Sequence, residues 1–400
     1  MNDCPICQED AAYLRSSRRP AWEALEQRLT VVDLFAGCGG LTLGVMEAAR
    51  AFNVGVDIRL AVDWDETPLD VYKANFPMAS TLATPVESVL DGELDSEPTV
   101  METELRARVG TVDILVAGPP CQGHSDLNNS TRRSDPRNLL YLRVARAAQV
   151  LNPKVLMIEN VPTVTHDVAQ ASESAQRTLQ EAGYSVAQGV VHLARLGVPQ
   201  RRKRHVVIAV RGINLEPASI LYALPDRCTV HSLRSVRWAI EDLGGRATSD
   251  MFDSASRLSD ANKRRIQWVF EHDEYDLPNR LRPLCHQSEH SYRSMYGRLR
   301  WDSPAQTVTT GFGSPGQGRY VHPAEERTFT PHEAARLQFF PDFFSFDAAK
   351  TRGALAQMIG NAVPPVLSMA ILREILPAVL GLTRQKNCVP QTNATIARSL

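Results

Sequence analysis

The sequence predicts an α/β fold, and three observations carry that reading. Residues 30–48 read as a strand, a glycine turn and a helix. Two later apolar runs, 112–116 and 155–158, are rich in β-branched residues, and each is followed by a proline a few residues on. Segments with helical spacing lie between the strands. This alternation runs to residue 210 and then lapses, as it would in a chain with one α/β core and an inserted smaller unit.

Four hundred residues with 43% hydrophobic content can bury a substantial core and suggest one large and one small domain. The formal net charge is -1, so overall charge does not announce a nucleic-acid partner. Its distribution says more. Acidic residues dominate from Asp57 to Glu104, opposed by Arg59 and Lys73. Basic clusters follow: Arg201, Arg202, Lys203 and Arg204; Lys263, Arg264 and Arg265; then Arg293, Arg298 and Arg300. Such segregation fits a polyanion held on one face, or simply charged helix faces in water.

No apolar run approaches the ~18 residues that cross a bilayer. The start, MNDCPICQED, lacks the apolar stretch of a signal peptide. Seven scattered cysteines, an odd number, do not resemble a disulfide framework. A reduced cytoplasmic protein with no membrane partner is expected.

The elements follow in order. Residues 1–29 are an arm carrying Cys4-Pro5-Ile6-Cys7. A CxxC pair is half of a zinc site, with Cys285, His286 and His290 as the other half; otherwise these are two ordinary thiols near a chain end. In TVVDLFAGCGG, Val31, Val32, Leu34 and Phe35 make a strand, and Gly37, Gly39 and Gly40 make the turn. Leu41, Val45 and Ala48 then have helical spacing. Glycines let a ligand approach the backbone closely, and the helix start offers unpaired amides. The next strand ends at Asp63-Trp64. That pair suits a ribose and an adenine ring, or else a helix cap and a core tryptophan.

The strand of VDILVAGPPCQGHS stops at Gly118, and two prolines stiffen the chain before Cys121. A thiol at the carboxyl end of a core strand is a candidate nucleophile, or a buried structural cysteine. A polar loop, 122–133, could act as a lid, and Asp135-Pro136-Arg137 opens a helix. The strand of residues 155–158 ends in Glu159-Asn160-Val161-Pro162, which places a carboxylate at the same sheet edge. In GVPQRRKRHVVIAV, strand alternation sends Arg202 and Arg204 to one side, suited to phosphate or a carbonyl oxygen. Later stretches are a glycine-rich TVTTGFGSPGQGRY, a helix start at Thr330-Pro331-His332-Glu333, and GNAVPP before an apolar helix.

Taken together, DLFAGCGG, GPPCQGHS, IENVP, QRRKR, PHEAARLQFFPD and GNAVPP stand in the order of the DNA (cytosine-5)-methyltransferases, prokaryotic or phage type, and the chain resembles that family over residues 30–210 and 295–370. The resemblance implies a Rossmann-like class I methyltransferase fold, a mostly parallel sheet flanked by helices with a smaller inserted target-recognition domain. It divides the chain into an arm (1–29), a catalytic and cofactor-binding core (30–210), a target-recognition domain (211–325), a C-terminal return to the core (326–383) and a tail (384–400).

The same resemblance assigns roles. Cys121 would attack cytosine C6, Glu159 would bond to N3, and Arg204, with Arg202 less directly, would contact O2 or position the loop. S-adenosyl-L-methionine would lie against Phe35, Ala36, Gly37, Gly39, Gly40, Asp63, Trp64, Pro120, Leu140, Asn361 and Val363. The partners implied are double-stranded DNA and a cognate restriction endonuclease, with the enzyme a monomer. Three positions depart from the family: Ala83-Thr84-Pro85-Val86, with Glu87 nearby, replaces an acidic contact to adenine; His124 stands where an aromatic residue is common; and the CxxC is an addition. The alternative on this scaffold is a tRNA cytosine-5 methyltransferase, whose Cys-Phe-Thr signature is not found here.

Overall fold

The computed structural model describes residues 4–21, 27–120, 140–166, 170–227, 233–245, 250–287 and 294–382. Cys121, the 122–133 loop with His124, the helix start at 135–137, His290, Arg293 and the tail 384–400 lie outside the described residues.

Helix α1 (Pro5–Leu14) precedes strand β1 (Arg28–Leu34), α2 (Gly40–Arg50), β2 (Gly55–Asp63), α3 (Glu66–Asn75) and β3 (Thr81–Ala83). Then come α4 (Val100–Val109), β4 (Ile114–Ala117), α5 (Leu140–Leu151), β5 (Val155–Asn160), α6 (Ala171–Glu181), β6 (Ser185–His192) and β7 (Lys203–Val210). The rest is helical: α7 (Pro217–Arg227), α8 (Val236–Ile240), α9 (Asp260–Glu271), α10 (Pro331–Leu337), α11 (Arg352–Asn361) and α12 (Val366–Val379).

The seven strands run in the order β3-β2-β1-β4-β5-β7-β6. The first five are parallel, and β7 is antiparallel to both β5 and β6. Side-chain alternation divides the core between the two faces. Val31 faces a cluster that takes in α2, α3 and α12, whereas Val32 and Leu34 face one built on α4, α5 and α6. The chain order reverses between β1 and β4, where open α/β sheets leave a crevice at the strand ends. Helix α7 packs on β6 and α12, and its Ile220 and Leu224 lie in the main cluster. A separate small cluster joins Val269, Leu277, Met295 and Tyr296.

Two ends of the chain are tied to this core. Helix α1 of the arm is held at its end: Leu14 is fully buried, its carbonyl accepts from the Asp342 amide at 3.0 Å, and Tyr13 meets the rings of Phe339 and Phe343. At the other end, the segment Arg352–Val379 is apolar enough by length and composition to cross a membrane. It is nevertheless two helices with Pro364 and Pro365 between them, and 61% of its most apolar window is buried in the protein. Helix α12 lies along α2, and Ser368 Oγ donates to the Leu41 carbonyl at 2.8 Å.

That approach is close because α2 is bare at Gly40 and Gly44. A methyl group on Gly44 would overlap the Pro365 carbonyl and Ser368 Oγ, and one on Gly40 would overlap the Val363 carbonyl. Both neighbours are held by helices and cannot give way cheaply. Gly44→Ala should therefore lower stability by about 1–3 kcal/mol in urea titration with the slope unchanged. Gly353→Ala, whose new methyl meets nothing nearer than 3.9 Å, should leave stability equal or higher.

Candidate active site

The turn after β1 is shaped by backbone conformations that glycine tolerates. Gly37 and Gly39 have φ of +51° and +95°, and Phe35 also sits in the left-handed region at +57°. The Ala36 amide donates to the Val62 carbonyl at 3.0 Å, which ties the turn to the end of β2. The Gly37 amide donates to Asp63 Oδ2 at 2.8 Å, and the Asp65 amide to Asp63 Oδ1 at 3.0 Å. Asp63 is thus oriented by the loop it faces. Its burial pushes the carboxyl above the usual range, against the lowering effect of those amides. Trp64, next in sequence, is 70% exposed. Gly39 caps α2, where a methyl group would collide with the rings of Phe76 and Tyr72. The Val363 carbonyl lies against Gly40, so the GNAVPP stretch returns beside the turn, with Asn361 exposed at the end of α11.

Beneath the turn lies a group that sequence reasoning missed. Asp33 is buried in β1, and its Oδ2 accepts from Thr42 Oγ1 at 2.7 Å. Thr42 Oγ1 also lies 2.8 Å from the Tyr72 hydroxyl. Asp33 Oδ1 has no hydrogen-bond partner among the described residues, and burial raises the carboxyl to about 7. The one available signal was an aspartate interrupting an otherwise apolar strand.

The second half of the site is the end of β4 and its neighbours. The Gly118 amide donates to the Leu34 carbonyl at 3.2 Å, and the Pro119 carbonyl accepts from Asn160 Nδ2 at 3.4 Å. Asn160, whose Oδ1 takes the Val161 amide at 2.8 Å, was also unassigned from sequence. Pro120 is the last described residue before Cys121, and Leu140 the first after the gap, at the start of α5. Glu159 is buried and paired with Arg204, Nε to Oε1, at 2.5 Å. A methyl group on Gly118 would stand 3.7 Å from Glu159 Oε2, so the carboxylate adjoins the Gly-Pro-Pro stretch.

Arg202 takes a different position. It precedes β7, is buried, and donates to the carbonyls of Val308 at 2.9 Å, Ala362 at 3.1 Å and Gly360 at 3.3 Å. The structure therefore brings Arg204 to Glu159, and Arg202 to the backbone that carries Asn361 and Val363. Near the departing stretch after β3, Val86 is buried and Glu87 exposed.

The zinc expectation does not hold. Among the described residues no group of three or more His, Cys, Asp or Glu side chains could hold a metal ion. Cys4 and Cys7 sit on α1 against Arg234, whereas Cys285 is exposed and His286 lies near Tyr296 and Gly316. His290 is outside the described residues.

A Gly-rich turn wrapped on an acidic strand end, beside a Gly-Pro-Pro strand end over a Glu–Arg pair, defines a group-transfer enzyme of the α/β type. The chain belongs to the C-5 cytosine-specific DNA methylase family, whose model matches residues 29–377. It is a DNA (cytosine-5)-methyltransferase that uses S-adenosylmethionine and acts on DNA. It is 44% identical over 360 residues to the Type II methyltransferase M1.BsuMI of Bacillus subtilis (strain 168), covering 90% of this chain and 83% of the relative. It is 32% identical to the Type II methylase M.HgiDII of Herpetosiphon aurantiacus, covering 88% of this chain and 96% of that one. Its fold is similar to the crystal structure of the S. pombe Dnmt2 methyltransferase, with a TM-score of 0.60 at 18% identity, covering 89% of this chain and all of that one. The tRNA alternative is not favoured by these relatives.

Asp33 gives this site a pH dependence. Its folded value, about 7, lies above its ordinary value of 3.8. The folded protein therefore holds a proton that the unfolded chain has released between those two values, and stability falls as pH rises across that window. Asp33→Asn should remove this slope, so that the loss in urea stability from pH 5 to pH 8 shrinks by on the order of 1 kcal/mol or more. An unchanged slope would show that Asp33 is ionised in the folded protein throughout.

Proposed function

We propose that the enzyme methylates C5 of a flipped-out cytosine through a covalent bond between Cys121 and C6. The observation that carries the reading is the Glu159–Arg204 pair at the ends of β5 and β7, beside the Gly118-Pro119-Pro120 stretch that leads into Cys121. Cytosine C5 is a poor nucleophile. A Cys121 thiolate adding at C6 pushes electrons toward C5 and N3, so that C5 can take a methyl group. Glu159 bonds to N3 as that atom gains electron density, and Arg204 holds the carboxylate and faces O2. Loss of the C5 proton and breakage of the sulfur–C6 bond restore the ring and release Cys121. A base stacked in a duplex cannot reach a site at the foot of a sheet crevice, so it is extruded first.

The residues present fit S-adenosylmethionine, which supplies an electrophilic methyl group when bound. Asp63 offers a carboxylate, already aimed by two amides, to ribose hydroxyls. Trp64 offers an exposed ring to adenine. Phe35, Ala36, Gly37, Gly39 and Gly40 give a glycine-rich turn, and Pro120 after β4, Leu140 at the start of α5, and Asn361 and Val363 at the end of α11 and just beyond it close the pocket. Arg202 acts here as a positioning residue, through the backbone at 360–362.

Residues 211–325 are the proposed reader of the DNA sequence, since they fall between the core motifs and the C-terminal return. Every proposed group lies on one chain, so a monomer suffices. The relatives' description as Type II methyltransferases supports a cognate restriction endonuclease that acts on the same DNA sequence.

Two outcomes are expected. Cys121→Ser should abolish incorporation of labelled methyl into DNA while leaving the unfolding midpoint unchanged, and the wild type should form a covalent adduct with 5-fluorocytosine DNA. Residual turnover in the serine variant above about a hundredth of wild type would remove Cys121 from the reaction. Separately, Glu159→Gln should lower the rate by about 10²–10⁴ with cofactor affinity nearly intact, measured by single-turnover methyl transfer and by fluorescence titration.

A further inference from the structure

The Cys-x-x-Cys of the arm is not part of the reaction, and it forms no metal cluster among the described residues. Its geometry is nevertheless defined. Cys4 is the N-cap of α1, with extended backbone (φ -87°, ψ 111°), and Pro5 opens the helix. Cys7 is then the third helical residue, and the Gln8 amide donates to the Cys4 carbonyl at 3.1 Å. A side chain at the N-cap lies over the third residue of its helix, which is why those two positions hold the reciprocal partners of a capping box. Here both positions carry sulfur, which sets the two thiols at the same end of the helix.

The pair is asymmetric. Cys4 is partly exposed and Cys7 is buried. The buried Arg234 guanidinium lies on the Cys7 side of the pair, pairs with Asp10 one turn further along α1, and donates to the Gly197 carbonyl at 3.1 Å. Trp238 lies 4.5 Å below that guanidinium and donates from Nε1 to the Cys7 carbonyl at 3.3 Å. The second thiol is therefore fixed from below while the first is open to solvent.

We propose that Cys4 and Cys7 form a thiol–disulfide exchange site, with Cys4 attacking a low-molecular-weight disulfide and Cys7 resolving the adduct. The Cys4 thiolate attacks one sulfur of the external disulfide, forming a mixed disulfide and releasing one thiolate. Cys7, losing its proton, attacks the Cys4 sulfur and releases the second thiolate. Cys4 and Cys7 are oxidised by two electrons, the external disulfide is reduced to two thiols, and the two protons pass to those thiols. The Cys7 amide and then the Cys7 thiol hold Cys4 below its ordinary value, while burial raises Cys7, which matches an attacking and a resolving role. The product closes the first turn of α1 covalently and takes from Arg234 the thiol it contacts.

The test uses the full chain with excess oxidised glutathione, acid quenching, alkylation and peptide mass mapping. The peptide carrying both cysteines should lose two hydrogens and recover them with dithiothreitol. Cys7→Ser should accumulate one glutathione on Cys4, and Cys4→Ser should take glutathione on Cys7 about tenfold more slowly. Both variants should retain methyl transfer, which reports that they fold. The proposal is overturned if both thiols stay alkylatable in the wild type, if Cys7→Ser carries no glutathione, or if stoichiometric zinc binds and protects the pair.

Discussion

The buried guanidinium of Arg202 joins three parts of the chain that sequence keeps far apart. Taking a guanidinium out of water costs several kcal/mol unless its donors are met. Here Nη1 donates to the carbonyl of Val308, and Nη2 to those of Gly360 and Ala362. Gln200, two residues earlier and also buried, adds to the tie: its Oε1 accepts from the Val308 amide at 3.1 Å, and its Nε2 donates to the Leu337 carbonyl at 2.8 Å. Gln338 then donates to the Ile359 carbonyl at 2.6 Å. The Arg202 bonds, which involve a charge, contribute about 1.5–3 kcal/mol each and the neutral glutamine bonds about 0.5–1.5, but the geometric consequence of the set is larger. They fix the stretch 359–362 against the start of β7, so Val363 arrives at Gly40 while Arg204 arrives at Glu159. The proposed cofactor side and the proposed base side of the site share one support.

That support explains why the glycines matter where they do. Gly360 lies so close to the backbone of Thr309 and Thr310 that no side chain fits between them. Gly40 and Gly44 allow the same closeness between α2 and the chain after Val363. At the other end of the site, Glu159 and Arg204 form a pair with little exposure, and such a pair holds its geometry because separating it would leave an uncompensated buried charge. A carboxylate so held cannot swing away from the Gly-Pro-Pro stretch. The site is preorganised by satisfied polar groups, with apolar packing on both sheet faces behind them.

Much of this was legible in the sequence. β-Branched runs marked β1, β4 and β5, and three residues read at strand ends, Asp63 of β2, Gly118 after β4 and Glu159 of β5, are those the structure gathers at one sheet edge. Three things were not legible. The reversal of β7 leaves no local trace, because an apolar run reads alike in either direction. Asp33 was given no role from the sequence, whereas it lies on a buried position with Thr42 and Tyr72 as neighbours from two helices. Helix α7 followed the point where alternation lapsed, yet Ile220 and Leu224, four residues apart, bury their shared stripe against the sheet.

The arm shows how one spacing admits two chemistries. Two cysteines three residues apart can chelate a metal from a loop, or can occupy the N-cap and third position of a helix; local sequence does not separate the two. What separates them is the neighbour. A structural zinc site takes four ligands, and among the described residues no group of three or more His, Cys, Asp or Glu side chains includes Cys4 and Cys7. Arg234 already stands at the Cys7 thiol, held there by Asp10, by the Gly197 carbonyl and by the face of Trp238. With Leu14 buried and Tyr13 packed on the rings of Phe339 and Phe343, the helix of the arm is already anchored without a metal. The thiol pair is left with a guanidinium on one side and solvent on the other, an arrangement suited to exchange of sulfur.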